Sequence, residues 1–249
     1  MKNLFNKILS PIGLEIHGKN YIAKLKAESN SKNPFEVQRE YFNQKSINVQ
    51  TIFDLGANTG ITIKKYITYF PNTKIHAFEP TIEIRDELKN NFSNNKNIIL
   101  NFKAVSDKNA SVIFYKNKKN DTNSIFPSVK IGASSDNACT NEYSYHVETI
   151  TLDEYCLNSK INEIDILKMD IQGAELLALK GAQKLLENKK IKLIFTELYF
   201  KEQYKNQALF NDIYSYLKTF GYKLQDFYNP YFVDNHIAWC DVIFTHDEK

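Results

Sequence analysis

Several acids in this chain stand where an apolar run gives out, close to glycine. Thr51–Gly60 reads TIFDLGANTG: Ile52 and Phe53 run into Asp54, and Gly56, Asn58 and Gly60 form a tight turn before a helical-looking segment. Only 8 glycines occur in 249 residues, so two in one short turn mark a place where bare backbone must approach something closely. A second apolar run, Lys74–Pro80 (KIHAFEP), ends in Glu79. A third, Ile164–Ile171, carries Lys168 and Asp170 two positions apart, hence on one face of a strand, with Gly173 and Glu175 just beyond. A fourth, Ile191–Leu198, has Glu197 near its end. A charge inside a buried strand is too costly to keep unless it is paired or lies at the open end. Open α/β sheets bind ligands outside the carboxyl ends of their strands, which is where these acids fall.

The spacing D-x-G-x-x-x-G differs from the G-x-G-x-x-G of a dinucleotide site. An acid before the first glycine repels a pyrophosphate but suits an ammonium group, and S-adenosylmethionine (SAM) carries an ammonium, a sulfonium and no phosphate. Asp54, Gly56, Asn58 and Gly60 are therefore read as cofactor contacts. Glu79 is placed to accept both ribose hydroxyls, or else it only complements a helix N-terminus. Both Asp54 and Glu79 are expected to be ligands and not core. Ser106 and Asp107, where the next strand runs out, fall near an adenine ring, or form an ordinary Ser-Asp turn. For chemistry, Asp170 is the candidate to orient or deprotonate a hydroxyl, with Lys168 setting its charge environment; a structural Lys–Asp pair is the alternative. Glu175, Glu197 and the lone His146 are secondary candidates. Asp170 and Glu197 could hold a divalent metal, since hard cations favour carboxylates, but no spacing demands one and no metal ligand is assigned. A nicotinamide enzyme would need a third glycine, and Asp54 argues against it. A non-catalytic SAM-binding or partner-binding module is the other rival.

Alternating strand and helix patterns must hold these residues, which predicts a doubly wound α/β sheet. Pro80 opens a helix over 81–92, a third strand spans Asn97–Asp107, and another covers Ala110–Tyr115. Lys116–Ser144 is polar and unpatterned, and is expected to close over an acceptor. Tyr145–Thr151 returns to strand, Thr151-Leu-Asp153 opens a short helix, and Gly181 breaks one helix from the next at 182–187. A helix over Gln207–Phe220 stops at Gly221. Two closing strands, Tyr222–Tyr228 and Ala238–Thr245, are joined by the aromatic loop NPYFVDNHI, which either walls a substrate pocket or packs on the sheet edge. Residues 1–48 form a helical extension and 49–249 the main domain. Within the extension, Asn33–Ser46 reads as a helix leading into the core. The stripe Leu4, Phe5, Ile8 and Leu9 favours packing on the chain's own domain over contact with a membrane surface. A net charge of +3 with scattered lysines argues against nucleic acid. Three cysteines match no disulfide framework or zinc spacing, and no apolar run spans a bilayer or resembles a signal peptide, so a cytoplasmic protein is expected.

With these pieces in order, the chain resembles the FkbM family of SAM-dependent methyltransferases. The resemblance rests on FDLGANTG at 53–60, FEP at 78–80, TLD at 151–153, and LKMDIQGAE at 167–175 followed by LKGA at 179–182. It implies a seven-stranded, mostly parallel Rossmann-like sheet with the last strand inserted antiparallel. It also implies SAM as cofactor and mainly O-methylation of a small-molecule or glycan acceptor, such as a natural product or surface polysaccharide. One position departs: the family pattern D-x-E-G-x-E here has Gln172 in place of the first glutamate. Gln keeps the shape and an acceptor oxygen and loses the charge, so restoring glutamate is expected to change the rate little.

Overall fold

The computed structural model describes residues 33–129 and 140–246. The stripe Leu4–Leu9, the rest of 1–32 and part of the 116–144 stretch lie outside them. Helix α1 (Pro34–Gln44) starts as its sequence dictates: Asn33 caps it by accepting from the Phe35 N–H, and Pro34 sits where a missing donor costs nothing. The chain then alternates through β1 (Thr51–Leu55), α2 (Ile61–Tyr69), β2 (Lys74–Phe78), α3 (Arg85–Phe92) and β3 (Ile98–Asn101). β4 (Ala104–Val105), β5 (Ser111–Asn117) and β6 (Asn141–Ile150) follow, then α4 (Leu152–Ser159), β7 (Ile164–Met169), α5 (Glu175–Lys180), α6 (Gln183–Glu187), β8 (Ile191–Tyr199), α7 (Phe210–Thr219), β9 (Tyr222–Val233) and β10 (His236–His246).

The main sheet has seven strands in the order β3-β2-β1-β7-β8-β10-β9. The pairs from β3 through β8 are parallel, and β10 slots antiparallel between β8 and β9. Period-two alternation divides the strands between two cores. Phe53, Leu167, Ile194 and Val242 face α4, α5, α6 and α7. Ile52, Ile166, Phe195 and Ile243 face α1, α2 and α3, where Phe35 and Phe42 of α1 join the same cluster. By the same parity Asp54, Lys168, Glu197 and Asp241 all point to the α1–α2 face. A smaller sheet, β4-β6-β5, stands beside the main one.

Four sequence expectations change. The third strand is two: β3 joins the main sheet and β4 pairs with β6. The helix after Pro80 begins only at Arg85. Within the described part of the 116–144 stretch, β5 runs on to Asn117, a 3₁₀ turn forms at Asn120–Thr122, Tyr115 bridges to Ser124, and β6 already begins at Asn141. The aromatic loop 229–237 is mostly strand: β9 and β10 run on to a two-residue turn at Asp234-Asn235, both at positive φ (51° and 62°). Pro230 is tolerated because β9 is the edge strand.

Candidate active site

The turn after β1 is built around left-handed backbone. Gly56 has φ +79°, and a Cβ there would lie 1.9 Å from the Asp170 carbonyl oxygen. That contact is with backbone, so no side-chain movement could relieve it, and the turn just after β1 lies against the residue just after β7. Gly60 has φ +87°, and its Cβ would fall 2.2 Å from the Phe92 ring. Asn58 is also left-handed, at φ 46°, and its N–H donates to Glu79 Oε2 at 2.8 Å. Glu79 Oε1 accepts from the Thr81 N–H at 2.8 Å. Burial raises the Glu79 pKa, and the Thr81 and Asn58 N–H groups oppose that shift. A cleft at this edge is lined by Gly56, Asn58, Phe78, Glu79, Val105, Asp170 and Gln172, with Asn120, Asn123 and Ile125 closing one side. Ser106 and Asp107 do not line it. Ser106 is buried, its hydroxyl donates to Asp107 Oδ1 at 3.2 Å, and its carbonyl packs where a Cβ on Gly181 would stand.

Asp54 is placed differently from the expectation that it is ligand and not core. It is fully buried and ion-paired with Lys168 Nζ at 3.1 Å, its neighbour in the β1–β7 register. Burial raises the Asp54 pKa and Lys168 moderates the shift. Burial pulls the Lys168 ammonium down, but Asp54 and Asp170 outweigh it and its pKa is raised. The ammonium also donates to the Gly56 carbonyl at 3.2 Å, and lies 4.0 Å from Asp170 Oδ2. Lys168 and Asp170 are thus brought together as their spacing predicts, with Asp54 as Lys168's closer partner.

Beyond Asp170 the chain turns through Gln172 at φ 56°. This residue connects the site. Its Nε2 donates to Asp170 Oδ1 at 2.6 Å and to Glu197 Oε2 at 3.2 Å. Its Oε1 accepts from the Tyr204 hydroxyl at 2.5 Å and lies 3.2 Å from the Tyr199 hydroxyl, which also bonds Glu197. Its carbonyl accepts from Ser124 Oγ at 2.7 Å. The two carboxylates dictate the amide's orientation, because only the NH₂ end can face both. The donor nitrogen therefore matters here, more than the retained shape and acceptor oxygen stressed by the sequence.

Burial and the charges of Asp170 and Asp241 drive the Glu197 pKa well up, against the Tyr199 hydrogen bond. Glu175 is fully buried at the start of α5, and its Oε1 accepts from the Ile171 N–H at 3.0 Å. Burial pushes its carboxyl up to about 7; it holds the 171–174 turn and does not line the cleft. His146 is not brought to the site. It is exposed on β6, in register with Ile113, with its Nδ1 3.5 Å from Ser111 Oγ. Among the described residues, no group of three or more His, Cys, Asp or Glu is arranged to hold a metal ion.

Sequence reading missed Tyr199, Tyr204, Asn229 and Asp241. Asp241, across from Glu197 in the β8–β10 register, accepts from Asn229 Nδ2 at 2.8 Å; burial lifts its carboxyl to about 6. An acid inside the apolar run WCDVIF was the available signal for it.

A seven-stranded sheet of this order, with one antiparallel insertion and a glycine turn opposite a strand-end acid, defines the Rossmann-like methyltransferase fold. The family model described as Methyltransferase FkbM domain matches residues 54–224, well over half of the chain. The chain belongs to the FkbM methyltransferase family. It is 27% identical over 177 residues to the 2-O-methyltransferase NoeI of Sinorhizobium fredii (strain NBRC 101917 / NGR234), covering 68% of this chain and 71% of that protein. Among solved structures, the methyltransferase FkbM from Methylobacillus flagellatus KT superposes with a TM-score of 0.52 at 15% identity, a likeness of fold. That match covers 80% of this chain and 44% of the other, so the chain spans less than half of that structure's length. No helix among the described residues is long and apolar enough to cross a membrane.

Proposed function

We propose that this chain is a SAM-dependent O-methyltransferase acting on a hydroxyl of a small molecule or glycan. The observation that carries the reading is the shared edge. The Asp170 carboxylate is half exposed, steered by Gln172 and 4.0 Å from a buried ammonium, and it lines the same cleft as Gly56, Asn58 and Glu79.

The cleft suits the cofactor. Glu79 offers acceptor oxygens for ribose hydroxyls, Phe78, Val105 and Ile125 give apolar lining for an aromatic base, and Asp170 borders the same cleft, where a reacting hydroxyl can reach it. Bound there, SAM supplies a methyl group on a sulfonium that leaves readily. The protein's share is then alignment and proton removal. Gln172 holds the Asp170 carboxylate toward the cleft, Asp170 Oδ takes the proton of the acceptor hydroxyl, and Lys168 keeps positive charge beside that oxygen. The relative NoeI, named as a 2-O-methyltransferase, supports a hydroxyl acceptor.

The test is turnover of methyl-labelled SAM against a panel of neutral glycosides and cell glycans. Wild-type protein should transfer label, and Asp170→Asn should lose about 10²–10⁴-fold in rate, the usual share of a general base, at near-constant SAM affinity. Normal turnover in Asp170→Asn would remove it from the mechanism. Tight SAM binding with no transfer to any acceptor would favour the binding-module reading.

A further inference from the structure

A cleft of about 550 Å³ lies at the amino ends of β1, β2, β3 and β7, the sheet edge opposite the proposed reaction site. Lys74, Lys96, Lys160 and Lys192 line it, together with Glu163, Asp165 and the His76 imidazole. We propose that this cleft binds a doubly charged phosphate group, carried by a small ligand or a lipid headgroup, at a site separate from the cofactor. The inference goes beyond the methyl-transfer reading and does not depend on it.

The first observation is charge that the protein leaves unanswered. Lys192 holds both acids: its ammonium lies 2.6 Å from Glu163 Oε1 and 2.7 Å from Asp165 Oδ1. Asp165 Oδ2 accepts from the N–H groups of Gln50 and Thr51 at 2.7 and 2.9 Å. Among the described residues, the other three lysines of the cleft have no ion-pair partner. Four ammonium groups against two carboxylates leave +2 in the cleft, whereas the whole chain carries only +3. An excess confined to one concave spot suits a small anion, and an extended nucleic acid would need a longer basic stripe.

The second observation is a donor without an acceptor. His76 is only 8% exposed, its ring packs on Phe53 at 5.0 Å, and its Nδ1 lies 2.8 Å from the Tyr155 hydroxyl. Burial, with the Lys74 charge nearby, lowers the imidazole to about 4, so it is neutral at pH 7 and one nitrogen carries the hydrogen. Asn101 and Ser159 offer hydrogens to the Tyr155 oxygen, so the phenol's own hydrogen goes to Nδ1 and the imidazole hydrogen stays on Nε2. Nε2 has no hydrogen-bond partner among the described residues and is open to the cleft that His76 lines. A largely buried N–H in that state costs free energy until an acceptor arrives. A phosphate has oxygens enough to take this hydrogen and several ammonium contacts at once.

Calorimetry with inorganic pyrophosphate at physiological salt tests the site. Wild-type protein should bind one equivalent, saturating below about 1 mM, with the same affinity when S-adenosylhomocysteine is present. Exposed charges are each worth roughly two- to fivefold, so Lys74→Gln, Lys96→Gln and Lys160→Gln combined should weaken binding about 10- to 100-fold. Lys64→Gln, Lys180→Gln and Lys218→Gln combined make the same charge change at exposed positions elsewhere, and should alter it less than about twofold. His76 is read without substitution: long-range ¹H–¹⁵N spectra should show its ring nitrogens moving with pyrophosphate while those of His146 and His236 stay. Vesicles of phosphatidylcholine with phosphatidic acid separate the two sources. Sedimentation with them that pyrophosphate reverses assigns the site to a headgroup, and no sedimentation assigns it to a free ligand. The proposal is overturned by absence of saturable binding in wild type, by competition with S-adenosylhomocysteine, or by still His76 nitrogens. Unchanged binding in the cleft triple variant, or an equal loss in the remote one, would overturn it as well.

Discussion

Exchanging Gln172 for glutamate should destabilise the protein, and more so as pH rises. In the wild type, one amide nitrogen donates to Asp170 at 2.6 Å and to Glu197 at 3.2 Å. A glutamate there puts a third carboxyl group within about 3 Å of two others. At an effective dielectric of about 20, the like-charge pair with Asp170 alone would cost roughly 5 kcal/mol, so the added carboxyl keeps its proton instead. With that proton, one O–H replaces two N–H donors, and the loss is one charge-assisted hydrogen bond, about 1.5–3 kcal/mol. The added carboxyl has a folded-state pKa above its unfolded value. Its folded form is therefore not penalised below the unfolded pKa, and stability is lost as pH rises toward the folded pKa, at about 1.4 kcal/mol per pH unit. Between about pH 5 and pH 8 the deficit should grow by up to ~4 kcal/mol, unless the site opens first. Urea unfolding followed by circular dichroism at those two pH values measures it. Gln172→Met, which removes the donors without adding a titrating group, should lose stability by a similar amount at both. A Gln172→Glu deficit that is the same at both pH values, or below about 1 kcal/mol throughout, would refute the hub assignment.

Three further outcomes follow from the same geometry. Asp54→Ala should destabilise by about 3–5 kcal/mol because it strands the Lys168 ammonium in the core; thermal melts at wild-type stability would mean that Asp54 is purely a ligand after all. Glu175→Gln should be more stable than wild type above neutral pH. The wild-type carboxyl keeps its proton up to about 7 when folded against an ordinary 4.5, so roughly 3 kcal/mol of stability is lost as pH rises between those two values; parallel stability–pH curves for the two proteins would exclude it. Gly56→Ala should cost more than about 2 kcal/mol in urea unfolding, since positive φ and a backbone clash combine; a loss of a few tenths would show that the β1 turn can move off Asp170.

What could be read ahead of the structure follows from the range of the interactions involved. The strand-end acids, the glycine turn and the shared face of Lys168 and Asp170 are local matters of spacing, and the alternation of apolar positions shows them directly. Asp241, Asn229, Tyr199 and Tyr204 enter the site through the β8–β10 pairing and the turn after β8, whose register no local pattern states. The closing hairpin is longer than its sequence suggests because Asn229-Pro230 and Asp234-Asn235 both look like turns, and only an edge position lets the first continue as strand. Asp54 is the most instructive case. A buried charge must be paired, which holds for Asp54 as much as for Lys168, and β1 and β7 place the two in register. In this chain the acid of the glycine motif therefore first anchors an ammonium. That ammonium in turn donates to the Gly56 carbonyl and lies 4.0 Å from Asp170, so the cofactor turn and the proposed proton acceptor are tied through one side chain.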